Sequence, residues 1–197
     1  MDKENKKIQK VTIYPVEKIT EKSSLLSRGL QELGLTNTIL KLISEGDSLK
    51  IKALDGHRNI KNSQDTFRHI FSDLLDTDID EIRKETEETE VLVYEVVKAA
   101  NIYQMFVSLN KSFEQMCLTQ DQILEFVDKH KEYKIPLDKH VIYHFLLKID
   151  GKVFFSQICL YLTQSDSYPK WFDGSLEDVK DSWDYPADGS FRVVVPK

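Results

Sequence analysis

Apolar and polar side chains fall into two extended runs between His140 and Leu162, H-V-I-Y-H-F-L-L-K-I and K-V-F-F-S-Q-I-C-L-Y-L, joined by Asp150-Gly151. Asp-Gly between β-branched and aromatic runs is a strong hairpin signal, because a type I′ turn needs two residues that accept positive φ. A two-residue turn sets the register: Ile149 opposite Lys152, Leu147 opposite Phe154, Tyr143 opposite Ile158, Val141 opposite Leu160. Side chains alternate along a strand. Val141, Tyr143, Phe145, Leu147 and Ile149 therefore share a face with Phe154, Ile158 and Leu160, interrupted only by Lys152 and Ser156. That face is predicted to be core. The opposite face carries His140, Ile142, His144, Leu146, Lys148, Val153, Phe155, Gln157, Cys159 and Tyr161, a mixture that predicts partial cover by a helix or loop. A bare hairpin is marginal in water, so a third strand is needed. Phe191–Val195 is the best fit, with Pro196 closing it at an edge.

Other elements follow from the same patterning. Residues 1–7 form a charged tail expected to be disordered. Lys10–Val16 alternates as a short edge strand, and Thr20–Leu33 repeats Leu25, Leu26, Leu30 and Leu33 at helical spacing. Thr36 is placed to cap a short helix through Ile39, Leu40, Leu42 and Ile43, ending at Gly46. Ser48–Leu54 alternates as a strand before Asp55-Gly56, a weaker hairpin signal. Gln64–Leu75 reads as an amphipathic helix with Phe67, Ile70, Phe71, Leu74 and Leu75 inward.

Asp76–Glu90 holds eight acids against Arg83 and Lys84, and marks the expected boundary between lobes. Val91–Val97 has strand composition, and Ile102 to Phe113 steps as a helix. Thr119 opens a further helix, with Gln122 completing a capping box and Asp121 in the first turn. Ile123, Leu124 and Val127 form its buried stripe, and Leu118 is placed to pack on Ile123 as a staple. Pro136 ends that segment. Leu176–Trp183 is a short helix or irregular strand, and Asp184–Ser190 a turn.

The fold class predicted is α+β: an antiparallel sheet of three or four strands in the C-terminal half packed on helices between Ala100 and His130, with a smaller mixed N-terminal lobe. The expected division is a tail at 1–7, an N-terminal α+β lobe at 8–90 and a C-terminal α+β domain at 91–197. The chain has 197 residues, enough for one large or two small units with a real core.

Charge narrows the function classes. The net charge is −6 and the pI about 5.4, against the basic face that general nucleic-acid binding requires. Cys117 and Cys159 both sit in apolar contexts and read as buried free thiols in a reducing cytoplasm. The first residues, M-D-K-E-N-K-K, lack an apolar h-region, so no signal peptide is expected. No apolar run approaches the ~20 residues of a membrane helix.

A set of residues beyond Leu54 carries a resemblance. They are Asn59-Ile60, Asp65-Thr66-Phe67 and Asp73-Leu74, then Thr89-Glu90-Val91, Val93–Val97 and Met105–Leu109. Cys117–Gln120, Gln122-Ile123, Phe126-Val127, His130, Phe145–Lys148 and Phe154-Phe155 follow, with Trp183 and Arg192–Pro196 at the end. Over about residues 54–197 the chain resembles uncharacterised proteins of bacterial and mobile-element genomes. That resemblance implies no assigned activity and carries over no functional residue.

Catalytic signatures are not found. Seven glycines form no phosphate-cradling loop, and G-x-S-x-G, H-E-x-x-H and Walker patterns do not occur. Asp76 to Glu87 brushes a calcium loop, but Glu81 stands where the turn demands Gly and Arg83 at the usually apolar eighth position. A Cys117–His130 pair would be separated by more than two turns of one helix. His140, His144 and Cys159 are the weak metal candidates; the two histidines lie about 13 Å apart along a strand, so the expectation is no metal and no cofactor. The late aromatics Tyr168, Trp171, Phe172, Trp183 and Tyr185 form either a lid on the second sheet face or a partner-binding patch. The function expected is a non-enzymatic protein-binding module carried by a phage or mobile element, cytoplasmic, without membrane or direct nucleic-acid contact. The alternatives are a metal-dependent or hydrolytic enzyme with a non-standard site near the 140–161 hairpin, and an acidic nucleic-acid mimic using Asp76–Glu90.

Overall fold

Strand pairing governs the architecture more than the helical periodicities suggest. The computed structural model describes residues 38–63, 65–67, 69–71, 84–135, 140–149, 151–160, 170–175 and 184–197. Among these, nine strands join one sheet: β1 (Leu40–Leu42), β2 (Leu49–Ile51), β3 (His69–Phe71), β4 (Thr89–Val96), β5 (Cys117–Leu118), β6 (Val141–Ile149), β7 (Lys152–Leu160), β8 (Lys170–Ser175) and β9 (Phe191–Pro196). The main path runs β1-β4-β9-β6-β7-β8-β3, with β2 also on β4 and β5 also on β6. Two α-helices, α1 (Ile102–Val107) and α2 (Gln120–His130), complete the frame with short 3-10 turns at Ile60–Asn62 and Phe113–Met116.

The hairpin forms in the register that its turn length dictates. β6 and β7 pair antiparallel, with Ile149 opposite Lys152, Leu147 opposite Phe154, Tyr143 opposite Ile158 and Val141 opposite Leu160. Gly151 supplies a φ of 77°, the left-handed conformation such a turn needs.

The sheet is α+β as predicted in class, but it is larger than the three or four antiparallel strands expected, and it is mixed. β9 is antiparallel to β4 and parallel to β6. It lies inside the sheet, so Pro196 does not close an edge; it ends the strand opposite Val91. The run F-R-V-V-V is buried from end to end, as a strand covered on both faces must be.

Each face has its own core. On the first, Val91, Val93, Val141, Tyr143, Phe145, Leu147, Ile158 and Val194 pack with Ile123, Leu124, Phe126 and Val127 of α2. On the second, Val96, Leu146, Phe191, Val193 and Val195 pack with Ile102, Met105 and Phe106 of α1 and with Phe113 and Met116. The segment 100–130 therefore covers both sides of the sheet. Three capping boxes in succession permit this. Asn101 with Gln104, Ser112 with Gln115 and Thr119 with Gln122 each restart the chain as helix. The single helix expected from Ile102 to Phe113 is broken by Asn110, whose φ is 59°.

Two further expectations are corrected. The helix expected from Thr36 over Ile39–Ile43 is β1, paired with Tyr94–Val96 of β4. Between β1 and β2 the edge is interrupted, and the Ser44 hydroxyl fills the gap by accepting the Val93 N–H at 3.0 Å. Within the helix expected at Gln64–Leu75, His69–Phe71 is β3, parallel to β8. In both places a neighbouring strand's unpaired N–H and C=O groups outweigh a weak helical pattern. Asp55-Gly56 closes no hairpin. Leu54 bridges Thr86, and Gly56, at φ 72°, lies so close to Lys84 that an added Cβ would sit 2.5 Å from its carbonyl oxygen.

The boundary expected near residue 90 falls at the start of β4, whose partners β1, β2 and β9 come from both sides of it. The expectations for residues 1–37, for Ser72–Arg83, for Pro136 and for Leu176–Trp183 lie outside the described residues. Among the described residues no helix is long and apolar enough to cross a membrane.

Candidate functional site

Cross-strand partners share a face, so the registers can be followed across the whole sheet. One row reads Phe71, Phe172, Gln157, His144, Val193, Tyr94, Leu42 from β3 to β1. The adjacent row reads Ile70, Trp171, Ile158, Tyr143, Arg192, Glu95, Lys41 and belongs to the other face. Trp171 and Phe172 are neighbouring positions of β8 in this register. Tyr168 and Trp183 lie outside the described residues.

Tyr185 is placed in detail. Its backbone forms a two-bond bridge with Ala100, and its ring packs 4.8 Å from the Phe191 ring and edge-on to His144 at 5.2 Å. Its hydroxyl accepts a hydrogen bond from Gln157 Nε2 at 2.7 Å. Gln157 therefore links Tyr185 to the row that contains Phe172. Beside it on β7, Val153 and Phe155 remain half-buried. Tyr185 acts as a lid over His144 while its own ring stays partly exposed.

His144 is fully buried, and neither ring nitrogen has a hydrogen-bond partner among the described residues. Burial pushes its pKa down to about 3, so it is a neutral aromatic at pH 7, stacked on Phe191 at 6.1 Å. His140 is exposed at the start of β6, and Cys159 is buried opposite Ile142. These three do not assemble: among the described residues no group of three or more His, Cys, Asp or Glu side chains could hold a metal ion. Cys117 donates its thiol to the Phe113 carbonyl, and burial pushes its pKa up to about 12, far from a reactive thiolate. His130 Nε2 sits 3.0 Å from the Lys50 carbonyl oxygen. In the acidic stretch, Glu88 pairs with Lys50 at 2.6 Å and Glu90 with Lys197 at 2.9 Å.

Two polar clusters escaped the sequence reading. Arg192 is buried in the middle of β9. Its guanidinium donates to the Tyr133 carbonyl, to the Lys134 carbonyl at 2.6 Å and to the Tyr143 hydroxyl at 3.1 Å. It also lies over the Tyr143 ring at 5.6 Å. Tyr143 in turn donates to the Lys131 carbonyl at 3.1 Å. These carbonyls follow the C-terminus of α2, where free acceptors and the helix dipole both favour a cation. An arginine inside an otherwise apolar strand was the available signal.

The second cluster is on the outer side of α2. Asp121, Glu125 and Asp128 recur at helical spacing and meet Arg58, at 3.9, 3.5 and 2.6 Å. Lys52 adds a 3.7 Å contact to Glu125. Burial raises the Asp121 pKa, with Arg58 opposing. The D-x-x-x-E-x-x-D spacing was visible in the sequence; its partner, on a distant loop, was not.

No protein-family model, curated protein or solved structure matches the chain. The geometry alone must then speak. Arg192, Asp121, Glu125 and Cys117 hold elements of this chain to one another, and His144 fills a core position. Among the described residues, Phe155 and Val153 stand half-buried on the second face of β7 beside the Gln157–Tyr185 pair, apolar area next to a fixed polar group.

Proposed function

We propose that the chain is a non-enzymatic protein-binding module that contacts its partner through the β7 part of the second face. The supporting observation is the 2.7 Å hydrogen bond from Gln157 to Tyr185, which holds an aromatic ring in place next to half-buried Val153 and Phe155. Rigid aromatic residues beside apolar area make good interface anchors, because little side-chain entropy is lost on binding. The proposed partner is a cytoplasmic host protein and the proposed setting a phage or mobile element, in line with the family resemblance. The test is photo-crosslinking in cells, with the reactive residue placed at Lys148, which faces Val153 on the second face, or, as a control on the far edge, at Lys41. A discrete adduct from position 148 alone, lost on adding Phe155→Asp in a variant with unchanged circular dichroism, is the expected result. Equal labelling from both positions, or none from 148, overturns the proposal.

A further inference from the structure

We draw no further inference here: the strongest candidate, the buried Asp121–Glu125 carboxylate cluster on α2, belongs to the packing already described, its cation being Arg58 of the same chain and its Asp121 carboxylate facing the backbone N–H groups of Gly56 and Arg58.

Discussion

Adjacent positions on β6 bury ionisable chemistry in opposite ways. Tyr143 faces Arg192 on one side of the sheet, and His144 faces Val193 on the other. Arg192 meets acceptors in the core: the Tyr133 and Lys134 carbonyls and the Tyr143 hydroxyl take hydrogen bonds from its two terminal nitrogens, while its Nε has no partner among the described residues. His144 has aromatic neighbours and no acceptor, so it gives up its charge. Both side chains are almost fully buried: the guanidinium, which keeps its charge in a folded protein, is given acceptors, and the imidazole, which can shed its proton, is given none.

The largest effect should come from removing the charged member. Arg192→Met keeps much of the volume but removes the donors to the Tyr133 and Lys134 carbonyls and to the Tyr143 hydroxyl, and hydrogen bonds to a charged group are worth about 1.5–3 kcal/mol each. A loss of about 3 kcal/mol or more in urea unfolding is expected, with Arg192→Lys recovering only part because an ammonium lacks the planar fork. A loss below about 1 kcal/mol for Arg192→Met would remove the contrast between the two faces.

His144 sets the next effect, and its sign is fixed. The folded pKa, about 3, lies below the ordinary 6.5. Above pH 6.5 both folded and unfolded histidine are neutral, and the full stability is present. As pH falls from 6.5 towards 3 the unfolded chain takes up a proton that the folded one refuses, and stability drops by about 1.4 kcal/mol per pH unit. At pH 4.5 this amounts to roughly 2–3 kcal/mol. In His144→Phe that share should vanish, so the two stability curves converge or cross on acidification; parallel curves would contradict it.

The smallest effect sharpens the same region. Gln157→Leu removes one hydrogen bond to Tyr185 and should cost about 1 kcal/mol. Faster amide exchange at Tyr185 and Ala100, which share a backbone bridge, is the accompanying readout. Unchanged exchange there would mean that the side-chain bond does not hold the lid.

How much of this the chain discloses depends on where each determinant lies. The β6–β7 hairpin was legible because its turn, alternation and register are local. So was α2, from Thr119 and Gln122 alone. β9 was identified as a strand but misplaced. V-V-V followed by Pro suits an edge, yet its unbroken burial belongs to a strand with neighbours on both sides. β1 and β3 have three residues each and owe their conformation to β4 and β8. The anchoring of Arg192 depends on backbone carbonyls far away in the chain, which carry no sequence signature. Tyr185 was named as lid or patch; its packing on Phe191 and His144 depends on residues distant in the chain and was not legible.

The most direct test of the contrast between the faces is a nitrogen–proton NMR titration of the His144 ring in the folded protein. The account predicts a neutral imidazole with unmoved ring-nitrogen shifts from pH 7 down to about pH 5. A His144 midpoint near 6.5 in the folded state would contradict it.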